Sequence, residues 1–155
     1  MKKSKQVLFD TNVLIYAQDK QSEFYQQAQQ AHEHAIAGDI RAFSSLQNVT
    51  EFLATITSSK RVSNPLSRSR ALAEAQKYLY SGVFEIIHPS NESAELMLKN
   101  IRFWQKSSPA HIFDLQLIAT MLSNQVGAIL TANTKDFFGV AGIEVLDLRD
   151  FGTKL

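Results

Sequence analysis

Short runs of four or five apolar residues alternate along the chain with longer stretches whose apolar positions recur every three or four residues, the spacing of one helical face. Residues 6–9 read as a first buried strand that ends at Asp10, which can also cap the helix after it. Ser22 opens a stretch with Phe24, Ala28, Ala31 and Ala35 at helical spacing, closed by Gly38 in the position of a left-handed cap. Residues 41–44 form a second predicted strand, and Ser45 caps a helix carrying Leu46, Val49, Phe52, Leu53 and Ile56. The polar stretch 58–70, with Pro65, is a loop before a helix built on Leu72, Ala75 and Leu79, which Gly82 ends. Residues 83–87 are a third strand, and Pro89 with Ser90 starts a helix carrying Ala94, Met97, Leu98, Ile101 and Trp104. Ser108 followed by Pro109 marks another helix start, with Ile112, Leu115, Ile118, Ala119 and Leu122 as its apolar face. Residues 127–130 and 143–146 complete the set as fourth and fifth strands.

Short apolar strands separated by helices indicate a parallel sheet covered on both faces, the α/β class, whose ligands bind beyond the carboxyl ends of the strands. Four acids fall where that edge is expected. Asp10 ends the first strand, Glu51 interrupts VTEFLATI early in the helix leaving the second, Asp114 interrupts IFDLQLIAT in the helix feeding the fourth, and Asp136 follows the fourth. Counted from caps at Ser45 and Ser108, Glu51 and Asp114 each stand at the sixth helical position, past the turn where capping or the helix dipole accounts for a carboxylate. Singly, Asp10 is explained as a cap, Glu51 as a solvated helix residue and Asp136 as a turn residue. Together, charges so close to apolar packing and with Lys135 as their one adjacent base ask for a hard divalent cation.

Composition narrows the chemistry. With 155 residues, 45% of them hydrophobic, and only three Pro and six Gly, residues 1–155 read as a single domain with no linker. Residues 1–5, with Lys2, Lys3 and Lys5, are expected to be a flexible basic tail. The absence of cysteine removes disulfides, thiolate metal sites and a cysteine nucleophile, and fits a reducing compartment. The start has a basic head before an apolar stretch, but Asp10 and Asn12 break the signal-peptide pattern, and no apolar run reaches transmembrane length. A cytoplasmic protein without a membrane partner is expected. The net charge of +1 gives no global field for nucleic acid, so any such surface must be local. Lys60, Arg61, Arg68 and Arg70 supply four positive charges and no acid around the loop after the Glu51 helix, either a solvated loop or a set of phosphate contacts. His32, His34, His88 and His111 lack zinc-protease spacing; His111, three residues before Asp114, is a candidate for supporting that acid.

The strings VLFDTNVLIYA, NVTEFL and IFDLQLIATMLSNQVGAILTANTKDF, with the strand at residues 144–146, resemble PIN-domain ribonucleases, and within them the VapC-type toxins of toxin–antitoxin modules. The resemblance runs from Val7 to about Phe151. It implies a PIN-like three-layer α/β/α fold with a central parallel sheet of about five strands, a metal-dependent endoribonuclease activity, and Mg²⁺ or Mn²⁺ held by Asp10, Glu51 and Asp114. The family's fourth acid stands either two residues after the loop threonine, where this chain has Asn133, or just before the phenylalanine, where it has Asp136. Asp136 is the expected fourth ligand and catalytic residue, with Asn12, Thr131 and Asn133 assisting. The resemblance also implies an RNA substrate, a cognate antitoxin and a homodimer. The donor chemistry agrees, because Mg²⁺ takes oxygen ligands, keeps several waters and makes one of them nucleophilic near neutrality. A non-catalytic PIN-like domain that binds RNA or protein is the alternative, disfavoured by retention of the first three acids. An aspartyl-phosphate enzyme of the haloacid-dehalogenase kind would need a second Asp where Asn12 stands.

Overall fold

Every strand of the sheet runs parallel to its neighbours, in the order β3-β2-β1-β4-β5, in a computed structural model that describes residues 4–105 and 108–152. The strands are β1 (Lys5–Phe9), β2 (Ile40–Ser45), β3 (Phe84–Ile87), β4 (Ala128–Thr131) and β5 (Glu144–Asp147). The helices are α1 (Thr11–Tyr16), α2 (Tyr25–Ala37), α3 (Leu46–Ile56), α4 (Arg68–Tyr80), α5 (Asn91–Lys99), α6 (Ile101–Gln105) and α7 (Ile112–Ser123). This is the PIN-like three-layer arrangement.

Alternation along the strands divides the core between two faces. Val7, Phe9, Ile40, Ala42, Ala128 and Leu130 point to one side, where Val13 and Leu14 of α1, the alanines of α2, Phe52 of α3 and Tyr78 of α4 cover them. Leu8, Phe43, Ile87 and Ile129 point to the other, against Leu117, Ile118 and Met121 of α7. Sequestering each fully buried Leu or Phe contributes about 1.5–3 kcal/mol, so both layers are needed to hold the central strands in place. Ala28, Ala31 and Ala35 let α2 lie close to the sheet, and Gly38 ends that helix at φ +80° in the left-handed region.

The chain first builds outward from β1 through β2 to β3, then returns to the opposite side of β1 for β4 and β5. The reversal lies between β1 and β4. Such a switch point leaves a crevice at the carboxyl edge, because the two connecting layers diverge there.

Several expectations shift by a few residues, and four change in kind. The helix expected from Ser90 to Trp104 is broken at Asn100, whose side-chain amide donates to the Leu96 carbonyl at 2.8 Å and ends α5. The helix start at Ser108 is a 3₁₀ turn over Pro109–His111, so α7 begins at Ile112 and Asp114 stands in its first turn, not at a sixth position. The dipole of α7 therefore does contribute to placing a carboxylate there. Leu72 and Leu98 hold apolar positions in the helical spacing but are 54% and 68% exposed. Lys5 opens β1 and pairs with Glu144 at 2.7 Å instead of joining a tail; Lys2 and Lys3 lie outside the described residues.

Candidate metal centre

Asp10 follows β1 directly, and its N–H donates to the Leu130 carbonyl at 3.0 Å, prolonging the β1–β4 ladder into the crevice. Its carboxylate accepts the Thr11 N–H at 2.8 Å on Oδ1, and the Thr131 hydroxyl at 2.7 Å and the Asn12 amide at 2.9 Å on Oδ2. The residue is both a helix cap and a fixed ligand candidate. Asn12 accepts the Ala132 N–H at 3.1 Å, and Thr131 accepts the Asn133 N–H at 3.0 Å, so the loop leaving β4 is tied to the start of α1.

Glu51 is the sixth residue of α3, which Ser45 caps by accepting the Asn48 N–H at 3.1 Å. The Thr11 hydroxyl donates to Glu51 Oε2 at 2.9 Å, and Gln47, one turn earlier, donates to Oε1 at 3.0 Å. The same Gln47 amide donates to the Phe113 carbonyl at 3.1 Å, connecting α3 to α7 beside Asp114. Asp136 closes a 3₁₀ turn over Thr134–Asp136, and its Oδ1 lies 3.1 Å from His111 Nε2.

The charges in this crevice are nearly all of one sign. Burial pushes the Asp10 carboxyl up to about 6, against hydrogen bonds from Thr131 and Thr11, and the negative charges of Glu51 and Asp136 add to the rise. Asp114 is pushed up to about 7, by burial first and then by Asp136 and Asp10, with a smaller push from Glu51, while His111 acts in the other direction. Glu51 and Asp136 thus act on both Asp10 and Asp114, and Asp10 acts on Asp114. Among the described residues, no lysine or arginine is among the groups that move Asp10 or Asp114. Ligand atoms of His111, Asp114 and Asp136 lie within 4.8 Å of one another, beside a cavity of about 130 Å³ that Trp104 and Lys135 help to line. Oxygen donors in excess, prearranged and mutually repelling, fit a hard divalent cation.

The basic residues are not gathered into one patch with the acids. Lys60, Arg61, Arg68 and Arg70 are all exposed. Arg61 donates to the Thr55 hydroxyl at 3.4 Å, and Thr55 is four residues beyond Glu51, so this guanidinium sits one turn along the Glu51 face of α3. Arg70 instead lines a cavity of about 470 Å³ between α2 and α4 whose walls include none of the four acids. The orienting roles of Thr11 and Gln47 were not read from the sequence. Gln47 had a signal, standing four residues before Glu51 on one helix; Thr11 had none, because its bond to Glu51 is a tertiary contact.

Among the described residues, no helix is long and apolar enough to cross a membrane. No protein-family model matches the chain. A comparison with curated proteins gives no match either. Solved structures do match. A toxin–antitoxin complex from Klebsiella pneumoniae aligns at 25% identity and a TM-score of 0.59, over 92% of this chain and 97% of that one. DNA-bound VapBC from Salmonella typhimurium aligns at 17% identity and 0.63, over 93% and 98%. VapC20 of Mycobacterium tuberculosis, a toxin that cleaves the sarcin–ricin loop, aligns at 13% identity and 0.59, over 79% and 86%.

Proposed function

We propose that this chain is a metal-dependent endoribonuclease that hydrolyses RNA phosphodiester bonds, and that it is the toxin of a toxin–antitoxin pair. The observation that carries the reading is that Asp10, Glu51 and Asp136 are all near enough to Asp114 to push its pKa up, while among the described residues no lysine or arginine is named as moving Asp10 or Asp114. The same fold in the VapBC complexes and in a toxin that cleaves the sarcin–ricin loop supports it.

In this reading the four carboxylates hold Mg²⁺ or Mn²⁺. The cation supplies a water made nucleophilic near pH 7 and positive charge for the phosphate and the leaving oxygen. The chain's own residues do the positioning. Thr11 and Gln47 hold both oxygens of Glu51, while Thr131 and Asn12 fix Asp10 Oδ2, so neither carboxylate has to reorganise when a phosphate arrives. Asn133 joins the set through its N–H to Thr131. Lys60, Arg61, Arg68 and Arg70 are assigned to phosphates of the RNA strand, with Arg61 nearest the acids through Thr55. An antitoxin and a second copy of the chain are the protein partners assigned here, and residues 1–155 act as one domain in the cytoplasm.

The decisive experiment incubates the purified protein with RNA in Mg²⁺, Mn²⁺ or chelator. Cleavage with either cation and none with chelator is expected; intact RNA in both cations, or cleavage that survives chelation, overturns the nuclease reading. Expression in a bacterial cell should arrest growth while Asp114→Asn does not, and equal arrest by both forms would detach toxicity from this centre. A small DNA-binding protein encoded beside this chain is expected as the antitoxin.

A further inference from the structure

His111 does not belong to the four-acid pattern, yet it stands inside the acidic cluster. It ends the 3₁₀ turn that starts at Pro109 and precedes Asp114 by three residues, so the two side chains leave the same side of the helix start. Its Nε2 is 3.1 Å from Asp136 Oδ1. One ligating atom from each of His111, Asp114 and Asp136 lies within 4.8 Å of the other two. Bonds of about 2.1 Å meeting at a right angle put two ligand atoms roughly 3 Å apart, so the His111–Asp136 separation is already that of adjacent ligands on one ion. The imidazole is held by its Nε2 contact with Asp136, while its Nδ1 is buried with no hydrogen-bond partner among the described residues and the side chain as a whole is 37% exposed. The adjoining cavity of about 130 Å³ leaves room for waters that complete a coordination shell.

We propose that His111 is a nitrogen ligand of a cation position shared with Asp114 and Asp136, and that this position takes a first-row transition cation in preference to Mg²⁺. The inference rests on the metal-nuclease reading above and adds a donor that the acids alone do not supply. Mg²⁺ keeps to oxygen and water, whereas imidazole is a ligand for the transition series. Asp10 and Glu51, held by hydrogen bonds from Thr131, Thr11 and Gln47, remain an oxygen-only half. The centre is thus built from two unlike halves.

The test uses the full chain loaded with Mn²⁺ and read by pulsed electron paramagnetic resonance, in which a directly bound imidazole shows nitrogen coupling. The parent should show that coupling. His111→Gln, which keeps a hydrogen-bonding group for Asp136, should lose it, and Mn²⁺ affinity should fall by about tenfold or more, the size seen when even the outer partners of a metal ligand are removed. Mg²⁺ affinity should change far less, so the Mn²⁺ preference collapses. Circular dichroism of His111→Gln confirms that the variant is folded, as expected for a half-exposed residue. Mn²⁺ bound to the parent without nitrogen coupling, or an unchanged ratio of Mn²⁺ to Mg²⁺ affinity in the variant, overturns this inference alone. No Mn²⁺ binding at all overturns this inference, and binding of neither Mn²⁺ nor Mg²⁺ overturns it together with the nuclease reading.

Discussion

Phe9 and Asp10 are consecutive, and they enter two polar environments of opposite character. The Phe9 ring packs edge-on against His32 at 5.3 Å between centroids, in a cluster with Phe84 and Tyr78. There the imidazole is satisfied from within. Nδ1 donates to the Ala28 carbonyl at 2.7 Å, which leaves Nε2 to accept from the Tyr78 hydroxyl at 3.3 Å. Burial pushes the His32 pKa down, so the ring stays neutral and asks for nothing outside the protein. Asp10 is also desolvated, but its neighbours Glu51 and Asp136 carry its own sign, so burial and charge raise its pKa together. One region resolves its buried polarity internally; the other leaves a debt of positive charge. That difference separates a structural polar group from a candidate functional one more sharply than burial does.

The largest effect should come from Asp114→Asn. Metal-dependent RNA cleavage should fall by more than about a hundredfold, the scale of losing one fixed electrostatic group at a reacting centre. The metal-free variant should melt above the parent at pH 8, since the push on Asp114 comes from burial and like charges. Asp10→Asn should also end cleavage but lower the melting temperature, because the amide nitrogen would face a donor at either position, the Thr11 N–H at Oδ1 or the Thr131 hydroxyl and Asn12 amide at Oδ2. Equal melting of both variants and parent would erase the contrast.

The next effect is in pH. Asp10 titrates at about 6 and Asp114 at about 7 in the folded protein, against 3.8 for an ordinary aspartate. The folded state then holds protons that the unfolded state has already released. Stability of the metal-free protein should be fully present below pH 4 as far as these groups are concerned, and decline as pH rises to about 7. The Asp10 contribution is on the order of 2–3 kcal/mol. Denaturant titrations at pH 5 and pH 8 check it, and saturating Mg²⁺ should flatten the difference. Stability that rises over this interval without metal would contradict the electrostatic account.

Smaller still, Tyr78→Phe removes the hydroxyl that His32 accepts and should cost about 1 kcal/mol by denaturant melting. It should leave the metal response and cleavage untouched. Loss of metal stabilisation in this variant would show that the two regions are not independent. The smallest effect separates two arginines. Arg61→Ala should weaken RNA binding a few-fold and reduce the salt slope by roughly 0.7, one phosphate contact on a single strand. Arg70→Ala, at the cavity between α2 and α4, should act in the same direction but by less.

The alternation of strands and helices was legible because each strand is a short apolar run bounded by a cap or a turn residue, and the edge that gathers the acids follows from that topology alone. What the sequence hid are places where local groups compete with the helix. Asn100 looks permissive in an apolar period that runs to Trp104, yet its amide takes the Leu96 carbonyl and splits the helix. Pro109 does begin a helical segment, but a tight 3₁₀ one, which moves Asp114 into a first turn. Leu72 and Leu98 keep the period of a buried face but lie beyond the area that the sheet and its neighbours cover. The basic residues fall on different elements, Arg61 against Thr55 of α3 and Arg70 in α4.

The order in which the sheet is assembled has a consequence for biosynthesis. β1 is made first, yet one of its two neighbours, β4, pairs Ile129 with Leu8 and leaves the ribosome more than a hundred residues later. Until then the crevice has a single wall, without Thr131 or Asp136. A nascent chain therefore lacks the complete set of four acids until β4 and the turn that follows it have emerged.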